Sequence, residues 1–163
     1  MTTAGERQIL KTHLATIARL DEHLNEMGEE LVALMPLTVE RMAAPVRRQD
    51  TYVLAFLKLY EQFADALHQS LRTIVLLMSL GRTERLTPRD VANKAVALGI
   101  LVDGKAWAEA VRTRNALAQE YPLDPGRQAG QVNRAWDTRA TLGETRAAVA
   151  RFVTDEGLLD DGL

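Results

Sequence analysis

The chain contains no cysteine among its 163 residues. That absence excludes disulfide bonds, thiolate metal ligands and a thiol nucleophile, and it is compatible with a reducing cytoplasm. The N-terminal stretch MTTAGERQIL has no apolar signal-peptide core. No segment approaches the roughly 18 consecutive apolar residues of a membrane span. We therefore expect a soluble cytoplasmic protein without membrane contact.

Histidine is also scarce, with His13, His23 and His68 as the only three. His13 and His23 point to different faces of a helix, and no spacing of Asp or Glu around them resembles a metal site. The chain has neither a Gly-rich phosphate loop nor the G-S…D-x-D signature of a nucleotidyltransferase. We therefore predict no metal and no cofactor, and we exclude that the chain is itself a nucleotidyltransferase.

The net charge of −2 conceals an uneven distribution along the chain. Residues 41–114 carry 12 basic and 7 acidic side chains, whereas the segments on either side are net acidic. Sixteen of the 20 cationic residues are Arg, whose planar fork matches phosphate geometry. The basic middle third fits a nucleic-acid or nucleotide partner, although a genome that favours Arg codons would produce the same composition.

Apolar residues recur at helical spacing through nearly the whole chain, without any strand pattern. The first segment keeps a 3-4 spacing from Leu10 to Leu34, about seven turns, until Pro36. A second long helix is predicted from an N-cap at Asp50 to Gly81. Its last stretch, IVLLMSL, is apolar on nearly every side, which indicates cover by other helices or by a second chain.

Three further helices are marked by their start signals. The sequence TPRD at 87–90 combines an N-cap Thr, a Pro at the first helical position and an Asp at the third. Asp103 begins the next helix, which we expect to run to Pro122, and Asp124 precedes the last one.

These elements predict an all-α, up-and-down bundle of four to five helices. Residues 1–155 form one domain in this prediction. Residues 156–163, EGLLDDGL after Asp155, are acidic and contain glycine, so we expect a flexible tail there.

The helix after Asp103 places an arginine among apolar residues. An inward guanidinium is costly unless it meets an anion or lines a wet cleft. Arg114 could pair with Glu61 or Asp65 on a neighbouring helix, which would leave Tyr121 as a core tyrosine with its hydroxyl at the rim. Alternatively the group lines a cleft, with Asn115 and the residue four positions later on the adjoining flank. The predicted face contains Trp107, Ala110, Val111, Arg114, Leu117, Ala118 and Tyr121.

The stretch RNALAQEYP resembles the R-x4-H-x-Y signature of the HEPN superfamily, often written R-N-x-L-A-H-E-Y. The lead-in GILVDGKAWAEAVRTRN and the stretch LKLYEQFADAL at 57–67 are similar to family segments as well. The likeness covers roughly residues 5–155 and is nearest to the HepT branch, toxins encoded beside a minimal nucleotidyltransferase antitoxin. The positions that match the motif are Arg114, Asn115, Leu117, Ala118, Glu120 and Tyr121.

The resemblance implies a HEPN-like homodimer that cuts RNA in a shared cleft without a metal. Attack by a ribose 2′-hydroxyl on its own phosphodiester would leave a cyclic phosphate and a 5′-hydroxyl. Arg114 would bind the scissile phosphate and Asn115 would support it. The family's catalytic His corresponds to Gln119, which cannot take up or release a proton. A general base is worth about 10²–10⁴ in rate, so we expect little or no ribonuclease activity.

The origin of Gln119 has two explanations, a degenerate natural member or a replacement that disarms a toxic protein. Because the other motif positions are intact, we favour the replacement. The resemblance also implies that a cognate nucleotidyltransferase transfers AMP from ATP to the hydroxyl of Tyr121. An alternative function is a non-enzymatic partner and substrate of that enzyme, and a third is a plain dimerisation module.

Weaker RNA-binding candidates come from the basic segment. Arg47 and Arg48 could lie at the edge of an RNA groove, although a solvated N-terminal flank of the second helix is the better explanation of them. Arg112 lies two residues before Arg114 and belongs to the same set.

Overall fold

The computed structural model describes residues 3–44, 46–78 and 85–160, and these residues contain helices and no strand. The predicted all-α class is therefore confirmed, but the described ranges contain six α-helices and one short 3₁₀ turn rather than four to five helices, because the connector between Pro36 and Pro45 forms a short helix of its own. The elements are α1 (Ala4–Leu31), a 3₁₀ turn (Val32–Leu34), α2 (Val39–Ala43), α3 (Arg47–Leu77), α4 (Pro88–Ala97), α5 (Gly104–Gln119) and α6 (Pro125–Asp155).

Helix α1 begins at a capping box and buries one narrow stripe. The hydroxyl of Thr3 accepts the Glu6 N–H at 3.2 Å, and the Glu6 carboxylate accepts the Thr3 N–H at 2.7 Å. The buried residues of α1 recur every seven positions and pack mainly against α3. They are Leu10, Ile17, Leu24 and Leu31, as the apolar spacing predicts.

Helix α3 is the centre of the bundle and contacts α1, α4, α5 and α6. Its side chains are buried on more than one face because neighbours surround it. The ring of Phe56 packs against Trp136 of α6, with the two centroids 5.8 Å apart. The largest fully buried side chains of α3 are Phe56, Tyr60, Phe63, Leu67, Leu71 and Ile74.

Two hydrogen bonds from the side chain of Asn133 join the connector between α1 and α3 to α6. Asn133 Oδ1 accepts the Leu37 N–H at 2.8 Å, and Asn133 Nδ2 donates to the Leu37 carbonyl at 2.9 Å. This pairing satisfies both backbone groups of Leu37, which is itself buried. The short helix α2 follows and also packs on α6.

Helices α4 and α5 form a tight pair joined by six residues. Thr87 caps α4 as predicted, with Asp90 completing the capping box. The helix ends at Ala97, and Gly99 follows the C-cap residue with a φ of 78°, the left-handed conformation that glycine adopts without strain. The Asp103 side chain then accepts the Lys105 N–H at 2.8 Å and caps α5, also as predicted.

The predicted start of α3 is wrong. The helix begins at Arg47 with Val46 as its N-cap, and no side chain caps it. Asp50 lies inside the first turn, where its charge still favours the positive end of the helix dipole. The predicted end at Gly81 lies outside the described residues.

The predicted boundary between domain and tail coincides with the end of α6 at Asp155. Within the described part of the tail, Leu158 is buried to 9 % exposure, and the carbonyl of Asp160 accepts a bond from Arg7 of α1 at 3.4 Å. In the part of the chain that the structure describes, no helix has the length and apolar character of a membrane crossing.

Substitution of Tyr60 tests the packing at the centre of the bundle. Its ring is fully buried, and its hydroxyl lies 2.6 Å from Thr138 Oγ1 of α6 and 3.4 Å from the Ala110 carbonyl of α5. Tyr60→Phe removes these bonds and should lower the unfolding free energy in urea by about 1 kcal/mol. Tyr52→Phe, at the half-buried partner of Arg48, should cost less than half of that. Equal losses for both variants would contradict this packing.

Candidate functional site

Helix α5 packs on α3 and α6 through a face that differs from the predicted one. Trp107, Ala110 and Thr113 are buried, whereas Ala118 is exposed. The Thr113 hydroxyl bonds back to the Glu109 carbonyl at 3.0 Å, so this small polar side chain is satisfied inside the helix. The buried stripe is therefore rotated toward Thr113, and Arg114 lies at its edge.

The guanidinium of Arg114 is held by two side chains. Its Nη2 lies 2.6 Å from Asp65 Oδ1 of α3, which is one of the two ion pairs that the sequence predicts. Its Nη1 donates to Asn115 Oδ1 at 3.0 Å. The third nitrogen, Nε, is buried and has no hydrogen-bond partner in the described residues.

The Asp65 contact decides how far Arg114 is available to a ligand. The Arg114 side chain is 29 % exposed and that of Asp65 is 50 % exposed. Ion pairs with such access to water contribute about 0–1 kcal/mol, so a phosphate could displace the carboxylate at small cost. Asp65 therefore neutralises the charge of Arg114 in the free protein, but the ion pair is weak enough for an anionic ligand to replace it.

The segment after α5 corrects the prediction for Tyr121. The helix ends at Gln119, and Glu120 is already extended, with φ −117° and ψ 133°. Proline disfavours a helical conformation of the residue before it, so Pro122 forces the chain to leave the helix early. Tyr121 therefore lies off the helical face and is 81 % exposed, which also excludes the alternative of a core tyrosine.

The extended segment is anchored to α6 on both sides of the tyrosine. Gln128 Nε2 donates to the Pro122 carbonyl at 2.7 Å. Gln131 Nε2 donates to the Glu120 carboxylate at 3.5 Å. The first bond holds the backbone at Pro122 and the second holds the side chain of Glu120, while the Tyr121 ring stays in water.

A cavity of about 250 Å³ lies beside Tyr121 between α3, the extended segment and α6. Its apolar lining includes Leu57, Leu117 and Val132, and Lys58 and Glu61 contribute charged groups. We call this space the tyrosine pocket. A phosphate ester on Tyr121 would lie at its margin.

The remaining predicted site residues are only partly brought together. Arg114 and Asn115 are in contact, and Gln119 is exposed at the end of the same helix. Arg112 is bridged to Glu109 on its own helix. Arg47 and Arg48 lie 17 or 18 residues before Asp65 on α3, which is about 25 Å along a helix axis.

Sequence reasoning considered His68 only as a metal ligand, yet it lies in the electrostatic environment of Arg114. Burial lowers the pKa of His68, Arg72 and Arg114 lower it too, and Asp65 opposes them. The sequence does indicate that these charges are close to the ring, since Asp65, His68 and Arg72 follow one another at helical intervals of three and four. The described residues contain no group of three His, Asp or Glu side chains that could hold a metal.

No protein-family model, no curated protein and no solved structure matches the chain. The likeness of the RNALAQEYP stretch to the HEPN signature therefore stays a prediction. The function of this chain must therefore be inferred from the positions of Arg114, Gln119 and Tyr121.

The titration of His68 reports on the Arg114–Asp65 pair. Asp65→Asn removes the charge that favours the protonated ring, so the pKa of His68 should fall further below 6.5. Arg114→Gln removes a repelling charge and should raise it. The imidazole C2–H resonance in NMR measures both, with Glu22→Gln on the exposed face of α1 as the control. Unchanged pKa values of His68 in both variants would place the ring away from the pair.

Proposed function

We propose that this chain is a HEPN-like, homodimeric cytoplasmic protein that a cognate nucleotidyltransferase recognises and modifies at Tyr121. The observation that carries the proposal is the exposure of that side chain. At 81 % exposure the side chain is accessible to a second protein, and the bonds to the Pro122 carbonyl and to the Glu120 carboxylate hold the residues on either side of it against α6. The family resemblance supplies the class of partner.

The transfer needs only a reachable phenol on this chain. The Tyr121 oxygen attacks the α-phosphorus of ATP, a new O–P bond forms, and the bond to the leaving pyrophosphate breaks. The phenol proton passes to solvent or to a base of the partner enzyme. The product carries one adenylyl group and a new negative charge on the segment that follows the Arg114 helix.

The same site has a second candidate function as an RNA-binding cleft of ribonuclease type. The partial exposure of Arg114 and its unpartnered Nε favour it, because a scissile phosphate would supply the missing acceptor. Gln119 can donate a hydrogen bond to RNA but cannot transfer a proton. The chain would therefore bind RNA and cut it very slowly.

The RNA-binding cleft requires a homodimer, since a HEPN-like cleft is shared by two copies, and the resemblance implies the same dimer for the modified chain. Support comes from apolar side chains of α3 that lie in water. Leu54 is 52 % exposed near the start of the helix, and Leu76 is 40 % exposed near its end. A monomeric mass in light scattering would contradict the homodimer and, with it, the shared cleft.

Tyr121→Phe should abolish the modification. The test incubates this chain with ATP and a minimal nucleotidyltransferase, and it maps the added adenylyl group by mass spectrometry. The unaltered chain should gain one group on Tyr121, because this hydroxyl is the accessible one. Tyr52→Phe is the matched control and should be modified normally. Modification of the Tyr121→Phe chain at another residue would refute the assignment.

Gln119→His should restore RNA cleavage by restoring a group that transfers protons near neutral pH. In metal-free buffer, the variant should cut a labelled RNA about 10²–10⁴ times faster than the unaltered chain. Arg114→Ala added to it should remove the gain, whereas Arg151→Ala on the exposed face of α6 should not. If the histidine variant stays inactive while it dimerises and is modified at Tyr121, the ribonuclease candidate falls and the partner function remains.

A further inference from the structure

The tyrosine pocket beside Tyr121 offers open apolar surface to a second molecule. Met42 of α2, Leu57 of α3 and Leu117 of α5 line it, and each of these side chains is half-buried, so part of each still faces water. The volume of about 250 Å³ lies below the roughly 300–1,000 Å³ of typical small-molecule sites. The space therefore suits one large apolar side chain of another protein.

The apolar surface continues outside the pocket. Leu54, which also lines the pocket, is 52 % exposed, and Leu123, two residues after Tyr121, is 84 % exposed. Contiguous apolar surface of this kind marks protein interaction sites. A small ligand inside the pocket would leave both leucines in water, whereas a protein surface would cover them together with the Tyr121 ring.

The charged groups that line the tyrosine pocket are mainly acidic. They are the carboxylates of Asp50, Glu61 and Glu120 and one ammonium, that of Lys58. Lys58 Nζ lies 3.9 Å from Glu61 Oε1, and the Lys58 side chain is 63 % exposed, so this pair contributes little. Within the described ranges, neither Asp50 nor Glu120 takes part in an ion pair. The lining is therefore net negative.

This charge decides which kind of molecule enters the pocket. Carboxylates repel the phosphates of a nucleotide or of RNA, and they attract Arg and Lys side chains. Glu120 accepts only one long bond, from Gln131 at 3.5 Å, so its oxygens have capacity for a cationic donor. An apolar side chain with a cation next to it is complementary to the pocket in shape and in charge.

We propose that the tyrosine pocket is the docking site of the modifying enzyme. An apolar side chain of that enzyme enters between Met42, Leu57 and Leu117, and neighbouring Arg or Lys side chains pair with the carboxylates of the lining. This inference rests on the proposed function and adds how the enzyme selects its tyrosine. Tyr52 does not line the pocket, so docking there brings Tyr121 alone to the bound ATP.

Capped tripeptides test the chemistry of the pocket without any enzyme. Arg-Leu-Arg should bind the full chain and shift the methyl NMR resonances of Met42, Leu57 and Leu117. Glu-Leu-Glu should bind at least about tenfold more weakly because its charges are repelled, and Arg-Gly-Arg likewise because it leaves the apolar space empty. Equal affinities of the three peptides, or shifts confined to other residues, would overturn the assigned chemistry.

Two variants test the docking of a minimal nucleotidyltransferase. Glu120→Lys and Leu54→Lys should each raise the KM for this chain about tenfold and leave kcat unchanged, because Tyr121 is intact in both. The matched controls are Glu144→Lys, an exposed carboxylate of α6, and Ile9→Lys, a 53 % exposed aliphatic residue of α1, and neither lines the pocket. Binding measured without ATP should follow the same order and should weaken with added salt.

The outcomes separate the docking site from the proposed function. If Tyr121 is modified and the pocket variants have the same KM as the controls, the docking site is wrong and the modification stands. If the enzyme binds, Glu120→Lys weakens that binding and Tyr121 still gains no adenylyl group, the docking site stands and the proposed function falls. If Leu54→Lys converts a dimer into a monomer in light scattering, a second copy covers the patch and the docking site is overturned.

Discussion

The packing of α3 against four other helices is the constraint on which the rest of the structure depends. Phe56, Tyr60 and Phe63 fill the space between α1, α5 and α6, and the hydroxyl of Tyr60 ties that core to Thr138 of α6. Because α3 is buried on several faces, its remaining polar stripe is narrow and its position is fixed. That stripe carries Asp65, which pairs with Arg114 of α5, and His68, whose pKa responds to both groups.

Arg114 shows how this packing sets the chemistry of α5. The inward face of α5 is used by Trp107, Ala110 and Thr113, which leaves the guanidinium at the rim opposite Asp65. There it is neutralised by an ion pair that water can reach, and it is supported by Asn115. A group in this state can exchange its carboxylate for a phosphate. His68 on α3 lies close enough to Asp65, Arg72 and Arg114 for their charges to shift its pKa.

Short sequence signals predict the helices and their caps, whereas contacts between residues far apart in the sequence determine the geometry of the candidate site. The caps at Thr87, Asp103 and Asp124 and the stripe of α1 follow from short spacings, so the sequence predicts them correctly. The partner of Arg114 could be narrowed to two carboxylates because they share one face of α3, but only the tertiary packing selects Asp65. Tyr121 was misplaced because helical periodicity was extended up to Pro122, whereas the restriction before proline ends the helix first. The tyrosine pocket combines residues of α3, of the segment after α5 and of α6, and no single one of these segments indicates it.

Acetylation of tyrosine hydroxyls in the native protein, mapped by mass spectrometry, tests most directly the claim that Tyr121 is presented outside the fold. The chain offers an internal scale, since Tyr60 is fully buried, Tyr52 is half-buried and Tyr121 is 81 % exposed. Tyr121 should react first and Tyr60 only after denaturation. A Tyr121 as protected as Tyr60 would mean that its ring is packed inside the protein, and the acceptor function would be lost.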